Sequence, residues 1–179
     1  MKLVEHPEKQ LRVAGIVNDS ITDGPGIRFA LFVQGCPHRC PECHNPQTHD
    51  FAAGTVMEIG EIAAKIRQNP LLTGVTFSGG EPFCQAEALA NLAELIAPLR
   101  LDLAVYSGYT FEELLELSSS DPGIAALLGR IRTLVDGRYI KELRDYRQKF
   151  KGSSNQRVIG VQKSLECGRA ILDESERWN

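Results

Sequence analysis

Three cysteines, Cys36, Cys40 and Cys43, lie within eight residues of the chain and place three thiols on one tight loop. Thiolates select zinc, copper(I) or iron–sulfur centres over hard cations. A cubane iron–sulfur cluster normally takes four cysteine ligands, so three cysteines leave one iron without a protein ligand. An open coordination position distinguishes a reactive metal site from a closed structural one. The C-x3-C-x2-C loop therefore indicates a reactive metal centre.

A structural zinc site is the alternative that the cysteines alone leave open, because sites of three cysteines and one histidine are common. His38, His44 or His49 would then be the fourth ligand. Disulfides are disfavoured, since five cysteines is an odd number and a chain of 179 residues needs no cross-links. The first ten residues are charged and polar, so no secretory signal is predicted. We expect a cytoplasmic protein with reduced thiols.

A second motif is a short apolar strand that runs into two glycines. Val75 and Phe77 alternate with polar neighbours before Gly79 and Gly80 stop the pattern. Paired glycines at a strand end allow the backbone to come close to a ligand. The next two residues are a glutamate and a proline, and the proline biases the glutamate toward an extended conformation. A carboxylate on such a turn is suited to an ammonium group, although an ordinary βα turn would give the same pattern.

Together the two motifs resemble those of the radical S-adenosylmethionine enzymes. The resemblance implies a [4Fe-4S] cluster on Cys36, Cys40 and Cys43, with the open iron chelated by the amino and carboxyl groups of S-adenosyl-L-methionine. It also implies that the turn Gly79, Gly80, Glu81 and Pro82 contacts the methionine amino group. The residue before the third cysteine is usually aromatic in this superfamily and is Glu42 here. By the same resemblance, residues Glu42, Cys43 and His44 contact the adenine.

Further segments resemble the glycyl-radical-enzyme activases, and among them the activating proteins of anaerobic ribonucleoside-triphosphate reductases. These segments are 23–29, 43–45, 106–115, 134–139 and 152–157. The resemblance implies that flavodoxin or a similar electron donor reduces the cluster and that the reductase receives the glycyl radical. Three alternatives stay open: an activase of the pyruvate formate-lyase type, a small-molecule radical enzyme of the deazaguanine synthase type, and a zinc-stabilised binding module.

Composition excludes several classes of protein. With 179 residues and 42% hydrophobic content, the chain can bury a core, and we expect one domain over residues 1–179. A net charge of −3 lacks the basic footprint of a nucleic-acid-binding protein. No apolar run approaches the ~20 residues of a membrane span. The two remaining cysteines, Cys84 and Cys167, are far apart and are expected to be small buried hydrophobic residues.

The hydrophobic pattern alternates between strands and helices, with the first two strands joined by a turn-rich stretch. Such alternation implies a parallel sheet with right-handed crossovers. We therefore predict an α/β fold, an open partial (βα) barrel of the radical S-adenosylmethionine type with five to six mainly parallel strands. Strands are predicted at 11–17, 27–33, around Val75, and at 101–106, 132–135 and 157–161, and helices at 57–68, 86–96, from Thr110 onward and at 124–128.

Ligand loops gather at the carboxyl ends of parallel strands. The cluster loop (residues 35–46), Gly79–Pro82, Ser107 and Asp136 all follow predicted strands, so we expect them to line one pocket. In related activases the positions of Ser107 and Asp136 lie by the cofactor or a nearby monovalent cation, although plain strand-end polar residues would look the same.

The C-terminal segment 141–179 is the candidate partner-facing region. Its basic stretch 141–157 is either a docking face for the reductase or electron donor, or a solvated charged surface. Trp178 could anchor the tail to the fold or to a partner.

Overall fold

A computed structural model describes residues 8–178 and contains one mixed seven-stranded sheet. The strands, in chain order, are β1 Gln10–Ser20, β2 Arg28–Val33, β3 Thr55–Glu58, β4 Gly74–Gly79, β5 Asp102–Tyr106, β6 Thr133–Asp136 and β7 Arg157–Gly160. Their order across the sheet is β3-β1-β2-β4-β5-β6-β7. The predicted α/β class is confirmed, and each of the six predicted strands has a counterpart.

The four central strands, β2, β4, β5 and β6, pair in parallel, whereas β1, β3 and β7 are antiparallel to their neighbours. Parallel strands need a long crossover, usually a helix. No α-helix lies between β1 and β2, and the connection from β6 to β7 holds only a 3-10 turn at Lys141–Leu143. The prediction of mainly parallel strands is therefore confirmed for the centre of the sheet, whereas the strands at its two edges are antiparallel.

Five α-helices accompany the sheet in the described residues: α1 Ile59–Gln68, α2 Ala86–Ile96, α3 Phe111–Leu117, α4 Pro122–Arg130 and α5 Val161–Cys167. The predicted start of α3 is confirmed in detail. Thr110 accepts a hydrogen bond from the Glu113 amide, and the Glu113 carboxylate accepts one from the Thr110 amide, which is a capping box. None of the helices within 8–178 has the length and apolar character needed to cross a bilayer.

One face of the sheet packs against the helices and forms the main core. Fully buried Leu31, Phe77 and Val105 of the central strands meet fully buried Leu89 and Leu92 of α2 in this core. Side chains alternate between the two faces of a strand, so the intervening residues face the other side. The helices thus leave the second face of the parallel strands available for a site.

The C-terminal tail covers part of that second face. Trp178 is 2% exposed and packs with the ring of Phe150 at 5.6 Å between centroids. It also lies over the guanidinium of Arg28, which is itself fully buried and hydrogen-bonded to Thr76 at 2.6 Å and to Asp102 at 3.0 Å. Of the two roles open to Trp178, anchoring the tail to the fold is the one observed.

Candidate cluster and cofactor site

The cluster loop leaves the carboxyl end of β2 and is closed on itself by hydrogen bonds. The amide of Gly35 donates to the Thr48 carbonyl at 2.8 Å, and the amide of Cys36 donates to the His49 carbonyl at 3.3 Å. The side chain of Gln34 adds bonds to two further carbonyls of the returning chain, at 3.0 and 2.7 Å. The first cysteine is therefore held at the base of a closed loop.

Backbone N–H groups act on all three thiols of the cluster loop. Burial raises the pKa of Cys36 and of Cys40, and the amides of His38 and Arg39 oppose this rise at Cys36. The Tyr139 amide acts in the same way on the pKa of Cys40. At Cys43, the amide of Asn45 donates a hydrogen bond to the sulfur at 3.4 Å. The amides near Cys36 and Cys40 thus favour the thiolate, which is the form that binds a metal, against the effect of burial.

Among residues 8–178, no group of three or more histidine, cysteine, aspartate or glutamate side chains is arranged to hold a single metal ion. In a cubane cluster each cysteine binds its own iron, so the three sulfurs need not converge on one point. All three thiols are free of disulfides. The donor set of three soft thiols fits an iron–sulfur cluster, and the ligand assignment to Cys36, Cys40 and Cys43 stays a prediction.

The two glycines of the second motif bring β4 against the start of the cluster loop. A β-carbon on Gly80 would lie 2.3 Å from the carbonyl oxygen of Gly35, and Gly79 has a φ of +96°. The amide of Gly80 donates to Val33 and that of Glu81 donates to Gly35, both at 2.8 Å. The structure thus shows a close approach of this turn to the loop backbone, and its approach to a ligand stays a prediction.

The carboxylate of Glu81 is fully buried and has two donors on each oxygen. Its Oε1 accepts from the Ser107 hydroxyl at 2.9 Å and from the Phe83 amide at 3.0 Å. Its Oε2 lies 2.8 Å from Nε2 of His38 and accepts from the amide of Gly108 at 2.8 Å. Glu81 therefore joins the carboxyl ends of β4 and β5 to the cluster loop, and its oxygens are saturated.

His38 is the cluster-loop residue that completes this connection. Arg138 donates to its Nδ1 at 3.3 Å. A guanidinium can only donate, so Nδ1 accepts and the proton of the neutral ring lies on Nε2, facing Glu81. The ring also contacts Tyr109 edge-on at 4.5 Å. The sequence suggested His38 only as a zinc ligand, and its observed role is to hold the loop.

Asp136, at the end of β6, is fully buried and engaged by its neighbours. It accepts from the amide of Phe111 at 2.8 Å and from Nε of Arg157 at 3.0 Å. Hydrogen bonds to Asp136 and then Glu112 raise the pKa of Arg157, and Arg157 lowers the pKa of Glu112. A guanidinium therefore already neutralises the carboxylate that the resemblance places by the cofactor or a nearby monovalent cation.

A cavity of about 350 Å³ adjoins the cluster loop on the second face of the sheet. Of the predicted site residues, Cys43 and His44 line it. Ser78 and Tyr106, which precede Gly79 and Ser107 on β4 and β5, also line it. The Tyr106 hydroxyl is buried without a hydrogen-bond partner, and burial raises the pKa of this side chain. A ligand in the cavity would supply the missing partner.

The other predicted site residues do not line this cavity. Glu42 has a positive φ of 51° and forms an exposed ion pair with Lys141. Cys36 and Cys40 lie on the cluster loop and outside the cavity lining. Gly80, Glu81, Ser107 and Asp136 take part in the hydrogen bonds described above, and Gly79 and Pro82 are the first and last residues of the turn. The expectation that these residues share one pocket stays a prediction.

The structure corrects one prediction outside the cluster loop and adds detail to a second, the basic stretch 141–157, whose docking role stays a prediction. Cys84 and Cys167 are exposed, not buried, because both lie on outward-facing turns of short helices. Several charges of the basic stretch 141–157 are paired within the molecule, since Arg147 meets Asp145 and Arg157 meets two carboxylates. These arginines therefore have ion-pair partners within the fold.

Gln85 is a supporting residue that the sequence did not suggest. Its amide donates to the carbonyls of Arg12 and Gln34 at 2.9 and 3.0 Å and accepts from the Arg12 amide at 2.8 Å. It thereby ties the segment after the Gly-Gly turn to β1 and to the start of the cluster loop. The only sequence signal for Gln85 was a polar residue between the Gly-Gly-Glu-Pro motif and the apolar helix that follows it. Tyr106 was visible only as a strand residue and as the start of the segment 106–115 that resembles the activases.

Comparison with known proteins agrees with this site. A family model described as a 4Fe-4S single cluster domain matches residues 22–159. The anaerobic ribonucleoside-triphosphate reductase-activating protein of Vibrio cholerae is 33% identical over 145 residues, covering 76% of this chain and 89% of that protein. The protein of the same name from Escherichia coli K12 is 31% identical over 147 residues, covering 77% and 91%.

A further relative is longer than this chain. The pyruvate formate-lyase-activating enzyme of Clostridium pasteurianum is 38% identical over 114 residues, which cover 59% of this chain and 48% of that enzyme. The fold and the thiol loop thus define a protein of the single-cluster 4Fe-4S class. The chain belongs to the 4Fe-4S single cluster domain family and, by its full-length relatives, to the anaerobic ribonucleoside-triphosphate reductase-activating proteins.

Proposed function

We propose that the chain activates an anaerobic ribonucleoside-triphosphate reductase by generating a glycyl radical on it, through reductive cleavage of S-adenosyl-L-methionine at a [4Fe-4S] cluster. The enzyme class is that of a radical S-adenosylmethionine oxidoreductase. The observation that carries the proposal is the closed three-thiol loop next to a cavity that Cys43 lines and that holds an unpartnered hydroxyl.

Cys36, Cys40 and Cys43 would hold the cluster, which supplies the electron for the cleavage when bound, since cofactors carry such chemistry and the protein supplies binding and orientation. Cys36 lies at the closed base of the loop and is buried. The amide donors on the sulfurs stabilise negative charge in a site that burial shields from water.

The cavity beside Cys43 is the proposed S-adenosyl-L-methionine site. We place the adenine against Cys43 and His44, which line the cavity, and Tyr106 offers its hydroxyl to the bound molecule. The side chain of Glu42, also expected at the adenine, pairs with Lys141 instead. The backbone of the turn Gly79–Pro82 is placed at the amino end. Because both oxygens of Glu81 are saturated, we propose that its carboxylate holds the turn and leaves the amino group to the backbone. Ser107 then acts through Glu81.

We also propose that the sheet is the open partial barrel of the radical S-adenosylmethionine type, built as one domain over residues 1–179. In support, the cluster loop and the Gly-Gly turn leave the carboxyl ends of the adjacent parallel strands β2 and β4. The proposed partners are the glycyl-radical subunit of the reductase and flavodoxin or a similar electron donor, acting in the cytoplasm. A monovalent cation would need a ligand other than Asp136, which Arg157 occupies.

Anaerobic reconstitution with iron and sulfide tests the proposal. The reconstituted protein should release 5′-deoxyadenosine from S-adenosyl-L-methionine under reducing conditions. It should also produce a glycyl electron-spin signal on an anaerobic ribonucleoside-triphosphate reductase. A parallel reaction with pyruvate formate-lyase distinguishes the two activase types, and a signal on that enzyme alone would contradict the assignment. Mössbauer spectra should show one iron site that responds to S-adenosyl-L-methionine, and four equivalent sites would contradict the open iron.

A further inference from the structure

Trp178 packs behind the wall of the cavity that is the proposed S-adenosyl-L-methionine site. Its side chain is buried in a small hydrophobic cluster on the second face of the sheet, separate from the main core. Tyr106 and Phe150 pack against the same cluster, and both of them line the cavity. Residues 169–178, which we call the tail, therefore reach the surroundings of the cavity through the tryptophan.

One side of the cavity wall depends on Trp178 through Phe150. The two rings meet edge to face, with 5.6 Å between their centroids, which is a favourable arrangement for an aromatic pair. Phe150 has a positive φ of 57°, in a stretch without helix or strand. A bulky residue keeps such a backbone conformation only where surrounding contacts hold it. The tryptophan ring supplies such a contact.

The other side of the wall depends on Trp178 through the connection between β1 and β2. A β-carbon on Gly24 would lie 2.8 Å from the tryptophan ring, so the ring lies directly against the backbone of this residue. The two residues before it, Thr22 and Asp23, line the cavity. Trp178 thus lies behind both stretches of the wall, residues 22–23 and residues 150–152.

Arg28 connects the tryptophan to the same stretch by hydrogen bonds. Its guanidinium carbon lies 5.7 Å from the centre of the Trp178 ring, and a cation over an aromatic face is attracted to that face. Nε of Arg28 donates to the hydroxyl of Thr76 at 2.6 Å. That hydroxyl donates in turn to the carbonyl of Asp23 at 2.7 Å. The ring, the guanidinium and a cavity residue are therefore linked by successive contacts.

The docking of the tail itself depends on this one side chain. Within residues 169–178, all of which the structure describes, Trp178 is the single buried residue. Two backbone hydrogen bonds join the tail to the end of β7: Gly160 donates to Ile171 at 2.9 Å, and Asp173 donates to Val158 at 2.8 Å. A segment with few buried contacts opens more readily than the core. Contacts that favour the docked tryptophan therefore shift this opening.

We propose that Trp178 is a positioning residue of the cofactor site: it holds Phe150 and the backbone at Gly24 in the cavity wall, so that docking of the tail and binding of S-adenosyl-L-methionine favour each other. The inference rests on the proposed function, since it takes the cavity as the S-adenosyl-L-methionine site. Two equilibria that are coupled in this way change each other by the same factor. The coupling can therefore be measured from either side.

The first measurement compares W178A and W178F with the control Y146A. Tyr146 is an aromatic residue that is 82% exposed and does not line the cavity. Equilibrium dialysis of the reconstituted protein with an oxidised cluster gives the Kd for S-adenosyl-L-methionine, and release of 5′-deoxyadenosine gives KM and kcat. We expect W178A to raise Kd and KM about tenfold, a typical coupling between two sites, with a smaller effect on kcat and wild-type iron content. W178F keeps a ring and should restore most of the affinity, and Y146A should match wild type.

The second measurement needs no substitution. Hydrogen exchange of the wild-type, cluster-loaded protein, followed by mass spectrometry, reports how often the tail opens. Saturating S-adenosyl-L-methionine should slow exchange in peptides from residues 169–178 about tenfold, because the coupling is reciprocal. Peptides from α1, which does not line the cavity, are the control and should exchange at the same rate with and without the molecule.

Wild-type affinity in cluster-loaded W178A, or tail exchange that S-adenosyl-L-methionine does not slow, would overturn the inference and leave the proposed function intact. If W178A fails to fold, the exchange measurement on the wild-type protein decides. A wild-type protein that takes up a cluster and binds no S-adenosyl-L-methionine would instead overturn the proposed function, and this inference with it.

Discussion

The cluster loop is held from two sides that differ in burial. On the turn side, Glu81 and His38 are buried, with side chains 0% and 5% exposed. On the side of the connection between β6 and β7, residues 137–156, Lys141 and Glu42 are 51% and 61% exposed. Buried hydrogen bonds are costly to leave unmade, whereas exposed ion pairs contribute little. The buried turn side therefore contributes more to the shape of the loop than the exposed side does.

The largest effect is expected when one of the three cysteine sulfurs is removed. The effects of substitutions on the two sides of the loop can be compared with it. Serine at Cys36, Cys40 or Cys43 should reduce iron content and 5′-deoxyadenosine release to background, because a hydroxyl is a poor ligand for a site that selects soft thiolates. C84S is the matched control, since Cys84 is exposed and outside the loop. A loop variant with wild-type cleavage would refute the ligand assignment.

On the turn side, E81A should lower both stability and cluster yield. It leaves the Ser107 hydroxyl and the amides of Gly108 and Phe83 without an acceptor, at about 1–3 kcal/mol for each buried donor. Thermal unfolding and iron content measure the two effects, with exposed Glu87→Ala as the control. Full iron content and stability, with only S-adenosyl-L-methionine binding lost, would show instead that the carboxylate meets the cofactor.

G80A tests the close approach between the turn and the loop. Its β-carbon would lie 2.3 Å from the Gly35 carbonyl, so one backbone must move. Overpacking of this kind typically costs about 1–3 kcal/mol. G60A in α1 is the matched control, because a β-carbon there meets nothing within 4 Å. Equal melting temperatures and iron contents for G80A and wild type would show that the approach is not required.

The smallest effect is expected on the exposed side. K141A removes the ion pair with Glu42 and should change melting temperature and cluster content by no more than the error of the measurement. Comparison with E81A under the same conditions makes the contrast quantitative. A loss of cluster in K141A comparable to that in E81A would erase the distinction between the two sides.

The sequence predicted the central strands, the capped start of α3 and the two motifs, because each depends on local pattern. It missed β3, since Thr55–Glu58 is four residues long and half-exposed, and pairing with β1 decides its state. The residues Met57 and Glu58 were instead assigned to the following helix, which begins at Ile59.

The hydrogen bonds that support the site could not be predicted from the sequence for a different reason. Nothing in the residue pattern around His38 indicates that its partner is Glu81, 43 positions further on. The same holds for Gln85 and Arg12, which are 73 positions apart. Side-chain bonds between distant segments have no periodic signature, whereas the cysteine spacing and the paired glycines do. The chemistry was therefore visible in the sequence, and its support was not.

The contacts between residues 137–156 and the cluster loop have a consequence for biogenesis. His38 and Arg138 are 100 residues apart, and Glu42 and Lys141 are 99 apart. Synthesis proceeds from the N-terminus, so the thiols leave the ribosome well before the stretch that completes their surroundings. We expect a nascent chain to carry an unfinished metal-binding loop, and insertion of iron and sulfide to follow release of the whole polypeptide.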